Sequence, residues 1–421
     1  MDKQRLAAWK KASLERLLRY VAVDTTAQPG QPSPSSAGQL VLGGQIMQEL
    51  RGLGLEDASQ DQHGIVTATL PATPGQEGAP TIGWLAHIDT SPDAPGGNIQ
   101  PRVVERYDGG KIEFAGAPGL TIDPESLPEL KGCLGHDLVF TDGTTLLGAD
   151  DKAGAAAIVT AVEHLLKHPE IPHGRIRLGF TSDEEIGQGI RHFDIEAFGA
   201  EAAYTLDDSE AGAICGETFS ADRAIVRITG RSAHPGTAKG RMVSALKVAA
   251  DLVAALPIEQ APEGTEGREG FIHPVTIRGS AGEAEIDLIL RDFDTAQLAV
   301  RAATLRAIVD AAVARRPGAS AEVEIVKQYR NMAEGLARRP EVMARAQAAI
   351  RRLGLETTGE PIRGGTDGSQ LTERGLPCPN LFAGWHNAHA VTEWACLHDM
   401  AYSVAVLVAL AEEWTRYSER A

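Results

Sequence analysis

Three short apolar runs, 81–86 (TIGWLA), 175–181 (RIRLGFT) and 202–206 (AAYTL), each end on metal-ligand or acid–base side chains. The first delivers His87, the second Asp183-Glu184-Glu185 and the third Asp207. An Ala-rich stretch of good helix propensity, 153–166, lies between the first two, and a short run at 138–141 reads as a further strand. Strands alternating with helices predict a mostly parallel sheet covered by helices, an α/β fold. Such sheets bind ligands beyond the carboxyl ends of their strands, where these polar residues fall.

From about residue 221 the pattern changes. Runs at 224–229, 274–277, 283–291 and 322–326 read as strands, and 242–256 and 295–314 read as helices. That order is β-α-β-β-α-β, the ferredoxin-like arrangement. Helical 341–353, a strand at 378–382 and a mostly helical 392–416 then resume the first alternation. The chain therefore reads as a catalytic domain in two pieces, 1–218 and 329–421, interrupted by a lid or dimerisation domain at 219–328. Residues 1–20 fit an amphipathic helix with Leu6, Trp9, Leu14, Leu17 and Leu18 on one side.

Length and composition narrow the function. A chain of 421 residues is too long for one ordinary core. A formal net charge of −17 argues against nucleic acid as a partner, because phosphate contact needs concentrated Lys and Arg. The N-terminus has no apolar core of signal-peptide type, and the longest apolar run, 401–410, is too short to span a bilayer, so no membrane association is expected. Cys133, Cys215, Cys378 and Cys396 show no CxxC spacing, which points to neither a disulfide framework nor a thiolate zinc site. These features predict a cytoplasmic protein.

His87, Asp150, Glu184-Glu185, Asp207 and His389 form a His₂-carboxylate set suited to two zinc-like ions about 3.5–4 Å apart, a known arrangement for hydrolysing amides. Asp89, two residues past His87, can orient that imidazole, although a capping Asp beside a satisfied histidine is the plainer alternative. Asp150 can bridge two cations with its two oxygens. Helix capping is its plainer role, and Asp151 can take that role instead. Three successive carboxylates at 183–185 repel one another unless cations offset them, and strand alternation would turn Glu184 and Glu185 to opposite sides. His386 competes with His389 as a ligand. In the insert, His234 sits in the turn SAHPGTAKG, from which it can polarise a carbonyl, and Arg291 can clamp a carboxylate. The turn RGGTDG, with Gly365 and Thr366, offers backbone N–H groups to an oxygen. It lacks the Lys-Ser/Thr ending of a phosphate loop, which excludes nucleotide chemistry.

The strings HIDTSPD, LLGADDKAG, FTSDEEIG, AHPGTAKG, LRDFD and PIRGGTDGSQL closely resemble the tripeptide aminopeptidase family, peptidase T, of the M20 metallopeptidases, and the resemblance spans almost the whole chain. It implies a cytoplasmic enzyme with two zinc ions per subunit (cobalt or manganese as substitutes) that removes the N-terminal residue from tripeptides and dimerises through the lid domain. His87 and Asp207 would hold one metal, Glu185 and His389 the other, and Asp150 both. Asp89 would orient His87, Glu184 would be the general base, and His234 would stabilise the tetrahedral intermediate. Two positions depart from the family pattern: Asp208 stands where glycine is common, and Thr392 precedes Glu393 where histidine is usual. The metal set alone leaves open a two-metal deacylase or dipeptidase acting on N-acyl amino acids or dipeptides.

Overall fold

The computed structural model describes residues 2–416. Met1, the start of the expected N-terminal helix, and 417–421, the end of the second catalytic piece, lie outside them. The chain forms two compact units. Among the described residues one comprises 2–216, Glu334–Glu360 and 366–416; the other comprises Glu217–Ala333 and Pro361–Gly365.

Among the described residues the first unit is built on a seven-stranded sheet. Its order is Ser59–Gln60, Val66–Leu70, Ile176–Thr181, Ile82–His87, Ala202–Asp208, Asn380–Phe382 and Ile214–Cys215. The four strands from Ile176–Thr181 to Asn380–Phe382 run parallel. Antiparallel neighbours close both edges. Every residue of Ile82–His87 is buried, as a strand covered on both faces requires. Leu85 and Ala203 pack with Phe193, Phe198 and Leu371. The helix Ala149–Lys167 lies against the strands Ile82–His87 and Ala202–Asp208 and against the helices Lys3–Val21 and Leu397–Thr415.

One expectation is corrected and a second, the mostly helical 392–416, holds with a later start. The buried stripe of Lys3–Val21 is Trp9, Ser13, Arg16, Leu17 and Tyr20, one step round the helix from the predicted face, with Leu6, Leu14 and Leu18 on its half-buried flank. Arg16 tolerates this burial because Glu49 and Glu163 both pair with it, at 2.9 and 2.6 Å. At the other end, Trp394–Cys396 is a strand, paired antiparallel with Leu138–Phe140, and the helix begins only at Leu397. The apolar run 401–410 is buried within that helix, and among the described residues no helix is long and apolar enough to cross a membrane.

The second unit has the order strand Ser220–Thr229, helix Ala245–Ala254, strands Phe271–Gly279 and Glu283–Asp292, helix Thr295–Ala314 and strand Ser320–Tyr329. Its sheet is antiparallel throughout, with Phe271–Gly279 and Ser320–Tyr329 at the edges. Alternation is clear in Glu283–Asp292, where Ile286, Leu288 and Leu290 face a core shared with Val248, Leu252, Leu305 and Val309.

Candidate metal centre

Five of the expected residues meet in the first unit, with Asp89 and Glu184 beside them. His87 closes its strand with Nε2 3.0 Å from Asp150 Oδ1 and 3.8 Å from Asp207 Oδ1. On the other side of the same carboxylate, Asp150 Oδ2 lies 3.7 Å from His389 Nε2, which is 2.9 Å from Glu185 Oε2. The two oxygens of Asp150 thus face two different histidine–carboxylate pairs. These separations are those of donors around ions with bonds of about 2.0–2.2 Å. His87 and Asp207 also form a compact triad with Asp151, so Asp151 stands close enough to compete with Asp150. Asp151 Oδ1, however, accepts the Gly154 N–H at 3.1 Å and caps the helix, while Asp150 and Asp151 themselves have non-helical backbone angles. A Cβ at Gly154 would lie 2.4 Å from that carboxylate, which explains the glycine.

Asp89 is buried, with Oδ1 3.4 Å from His87 Nδ1. It has a second job that strand alternation does not foresee. The strand before Asp183 ends at Thr181, Asp183 turns left-handed (φ 63°), and Glu184–Ile186 is a 3₁₀ turn. Glu184 and Glu185 therefore do not face opposite ways as strand neighbours would. Their backbone N–H groups both donate to Asp89, to Oδ1 and Oδ2, each at 3.1 Å. Asp183 is locked by Ser35 and Gln39, its carboxylate accepting the Ser35 N–H at 2.8 Å and Gln39 Nε2 at 2.8 Å.

The electrostatics show what the cluster lacks. Burial and the carboxylates of Asp207, Asp367 and Glu185 push Glu184 well above its ordinary pKa, with His87 only partly offsetting them. Burial and Asp150 push Glu185 up to about 7, and burial and Asp150 raise Asp207 strongly. Hydrogen bonds to Asp150 and Glu185 raise His389 to about 11 against its burial. Glu185 Oε1 and Asp151 Oδ2 are buried and find no hydrogen-bond partner among the described residues. Carboxylates in such excess over cationic groups, with orphaned oxygens, fit divalent cations as the missing partners.

The remaining candidates lie elsewhere or have other work. His234 is exposed in the second unit, where its Nδ1 accepts the Gly236 N–H at 3.2 Å, leaving Nε2–H as the donor of the neutral ring. Arg291, in the same unit, gives Nη1 to Asp222 O, Leu290 O and Gln328 Oε1 and lies over the Tyr329 ring. A Cβ at Gly365 would strike that ring at 2.3 Å. Thr366, in the first unit, donates its N–H to Ser369 Oγ at 3.1 Å and its hydroxyl to Asn380 at 3.0 Å. It is a helix cap, so its N–H is not available to cradle an anion. His386, the rival to His389, hydrogen-bonds Asp399 at 3.3 Å instead.

Four residues escape the sequence reading of the site. Glu393 is fully buried and accepts three backbone N–H groups, from Leu147 and Gly148 at 2.7 Å and from Asp150 at 2.9 Å. Burial raises it to about 7 despite these bonds. Asp93 Oδ2 holds His389 Nδ1 at 3.1 Å. Asp367 accepts the Thr181 hydroxyl at 2.5 Å, and burial lifts it to about 7. Lys152 is fully buried with Nζ on Val23 O at 2.9 Å, and burial lowers it to about 8 against the pull of Glu393, Asp24 and Asp89. A lysine inside an Ala-rich apolar helix was the available signal for the last. The Thr392 departure is also accounted for: its hydroxyl accepts from Asn387 at 2.7 Å and braces the loop in which Asn387 (φ 51°) and His389 (φ 64°) are both left-handed.

Residues 145–413 match the family model described as Peptidase family M20/M25/M40. Similar proteins include peptidase T of Shouchella clausii, 46% identical over 403 residues that cover 96% of this chain and 98% of that one. Another is peptidase T of Bacillus licheniformis, 44% identical over 96% of this chain and 98% of the other. Among solved structures, a tripeptidase from Staphylococcus aureus superposes with a TM-score of 0.75 at 23% identity, covering 97% and 99% of the two chains.

Proposed function

The chain belongs to the M20 peptidase family, and within that metallopeptidase family we propose that it is a tripeptide aminopeptidase, the activity for which its 44–46% identical peptidase T relatives argue. The observation that carries the site assignment is Asp150, whose two oxygens face His87 with Asp207 on one side and His389 with Glu185 on the other. Two zinc ions held by these five residues, with cobalt or manganese as substitutes, would polarise the scissile carbonyl and acidify the attacking water. Glu184, on a turn pinned by Asp89, accepts the proton of that water and passes it to the leaving amine. His234, whose Nε2–H is its available donor, supports the carbonyl oxygen as charge develops on it. Arg291 and the Gly365 turn are the proposed contacts for the rest of the peptide.

A homodimer through the second unit is supported by its edge strand Phe271–Gly279, whose last five residues, Val275 to Gly279, are exposed and include Val275 and Ile277. Four buried thiols fit a reducing, cytoplasmic setting. The deciding experiment compares an unblocked tripeptide, its N-acetylated twin and a dipeptide as substrates of metal-stripped and zinc-restored protein. Zinc-dependent cleavage of the unblocked tripeptide alone is expected. Cleavage of the acetylated compound instead would make the enzyme a deacylase on the same centre.

A further inference from the structure

Away from that centre, the fold assembles a second set of metal-ligand side chains from segments far apart in sequence. Cys133 ends the 3₁₀ turn Pro128–Cys133, Cys396 ends the strand Trp394–Cys396 opposite Leu138, and Asp399 sits in the first turn of Leu397–Thr415. One donor atom from each of these three buried residues lies within 4.8 Å of the other two. Two imidazoles adjoin them: His386 Nε2 is 3.3 Å from Asp399 Oδ2, and His136 Nδ1 is 3.6 Å from Cys396 Sγ. The ring of His386 stacks on Trp394 at 5.0 Å, and that of His136 on His398 at 4.0 Å.

We propose that Cys133, Cys396 and Asp399 form a separate cation site for one thiophilic divalent ion of the zinc class, with His386 orienting the Asp399 carboxylate. Donors around a tetrahedral zinc ion stand about 3.3–3.8 Å apart, given bonds of about 2.3 Å to sulfur and 2.0–2.2 Å to oxygen and nitrogen. The three donor atoms, within 4.8 Å of one another, reach that geometry by closing by at most about 1.0–1.5 Å. Two thiolates select a soft ion over magnesium or calcium, and a ligating carboxylate is normally steadied by a hydrogen bond of its own, the part His386 plays for Asp399. Binding displaces the two thiol protons to solvent, so both sulfurs enter as thiolates and no redox partner is required. The absence of CxxC spacing hid this pair, because the two cysteines meet only through the pairing of Trp394–Cys396 with Leu138–Phe140. Occupied, the ion would pin the start of the last helix to the turn at 128–133.

The test is cobalt titration of the full-length, metal-stripped protein, read by absorption and elemental analysis. A thiolate-to-cobalt charge-transfer band with the intensity of one thiolate-bound ion is expected in the wild type, and in Asp150→Ala, which lacks the other centre, it should saturate at one equivalent. It should vanish in Cys133→Ser and in Cys396→Ser, each of which should bind one metal fewer than the wild type. Should the serine variants fail to fold, Asp399→Asn, with the band shifted or lost, serves in their place. A wild type without the band overturns the site, as does a band that survives Cys133→Ser or disappears in Asp150→Ala.

Discussion

The two units handle their carboxylates in opposite ways. On the outward face of the insert's sheet, Asp287 pairs with Arg223, and Glu285 and Glu324 pair with Arg227, so opposite charges sit on neighbouring strands. In the parallel-sheet unit Asp150, Asp207, Glu184 and Glu185 are gathered around only His87 and His389. With Arg278 also paired to Glu285, the first arrangement sets three arginines against three carboxylates, is largely exposed, and is of small value to stability. The second is buried and gathers more carboxylates than the cationic groups among the described residues can pair. Such a surplus is costly unless protons or cations offset it, and the contrast supports the proposed cation site more firmly than any single ligand does.

The comparison is broken most directly at Asp150. Asp150→Ala should lose the ions of the centre and with them all measurable peptidase activity, and two equivalents still bound at this centre by elemental analysis would refute the bridging role. Glu184→Gln should keep both ions while turnover falls by about 10²–10⁴-fold. Because it removes one like charge from a crowd, it should also raise the melting temperature of the metal-stripped protein, the reverse of what removing a paired charge does. His234→Ala should lower kcat by about 10²–10³-fold with metal content unchanged, and a kcat that does not move excludes its contact with the developing charge.

The pH dependence sharpens the same contrast. A carboxyl whose pKa is raised on folding binds its proton more tightly in the folded chain. Glu185, raised from 4.5 to about 7, therefore contributes stability that is complete below about pH 4.5 and lost as the pH climbs through about 7. Glu184 and Asp207 are shifted in the same direction. His389, raised from 6.5 to about 11, loses its contribution only at higher pH. Metal-stripped protein should thus melt at progressively lower temperature from pH 4.5 to 7, and zinc should abolish the decline. A flat profile without metal would contradict the crowding argument. The smallest effect belongs to the insert, where Arg223→Met should cost only about 0.2–1 kcal/mol in denaturant unfolding and leave the peptidase rate unchanged.

Much of this was legible in the chain. His87, the 183–185 acids and Asp207 could be placed because apolar runs of strand length lead into them, and the β-α-β-β-α-β order of the insert could be read from the same period-two and helical patterns. What stayed hidden depends on pairs of residues distant in sequence. Glu393 looks like any acid in a loop until its carboxylate meets the backbone of Leu147, Gly148 and Asp150. The turn at Glu184 was misread because Asp89, some ninety-five positions earlier, sets its backbone direction, and period-two alternation describes only neighbours within a strand.

Glu393 also bears on how the enzyme comes into being. The backbone just ahead of Asp150 is held in place by a side chain that the ribosome adds more than 240 residues later. Domains tend to fold in the order of synthesis, and the segment around Asp150 emerges well before its brace. A nascent chain stopped anywhere in the insert, or just past it, would carry His87, Asp150, Glu184 and Asp207, yet the loop before Asp150 would lack its anchor and His389 would be missing. Hydrolytic competence is thereby tied to the completion of translation, so truncated products should be inert toward peptides.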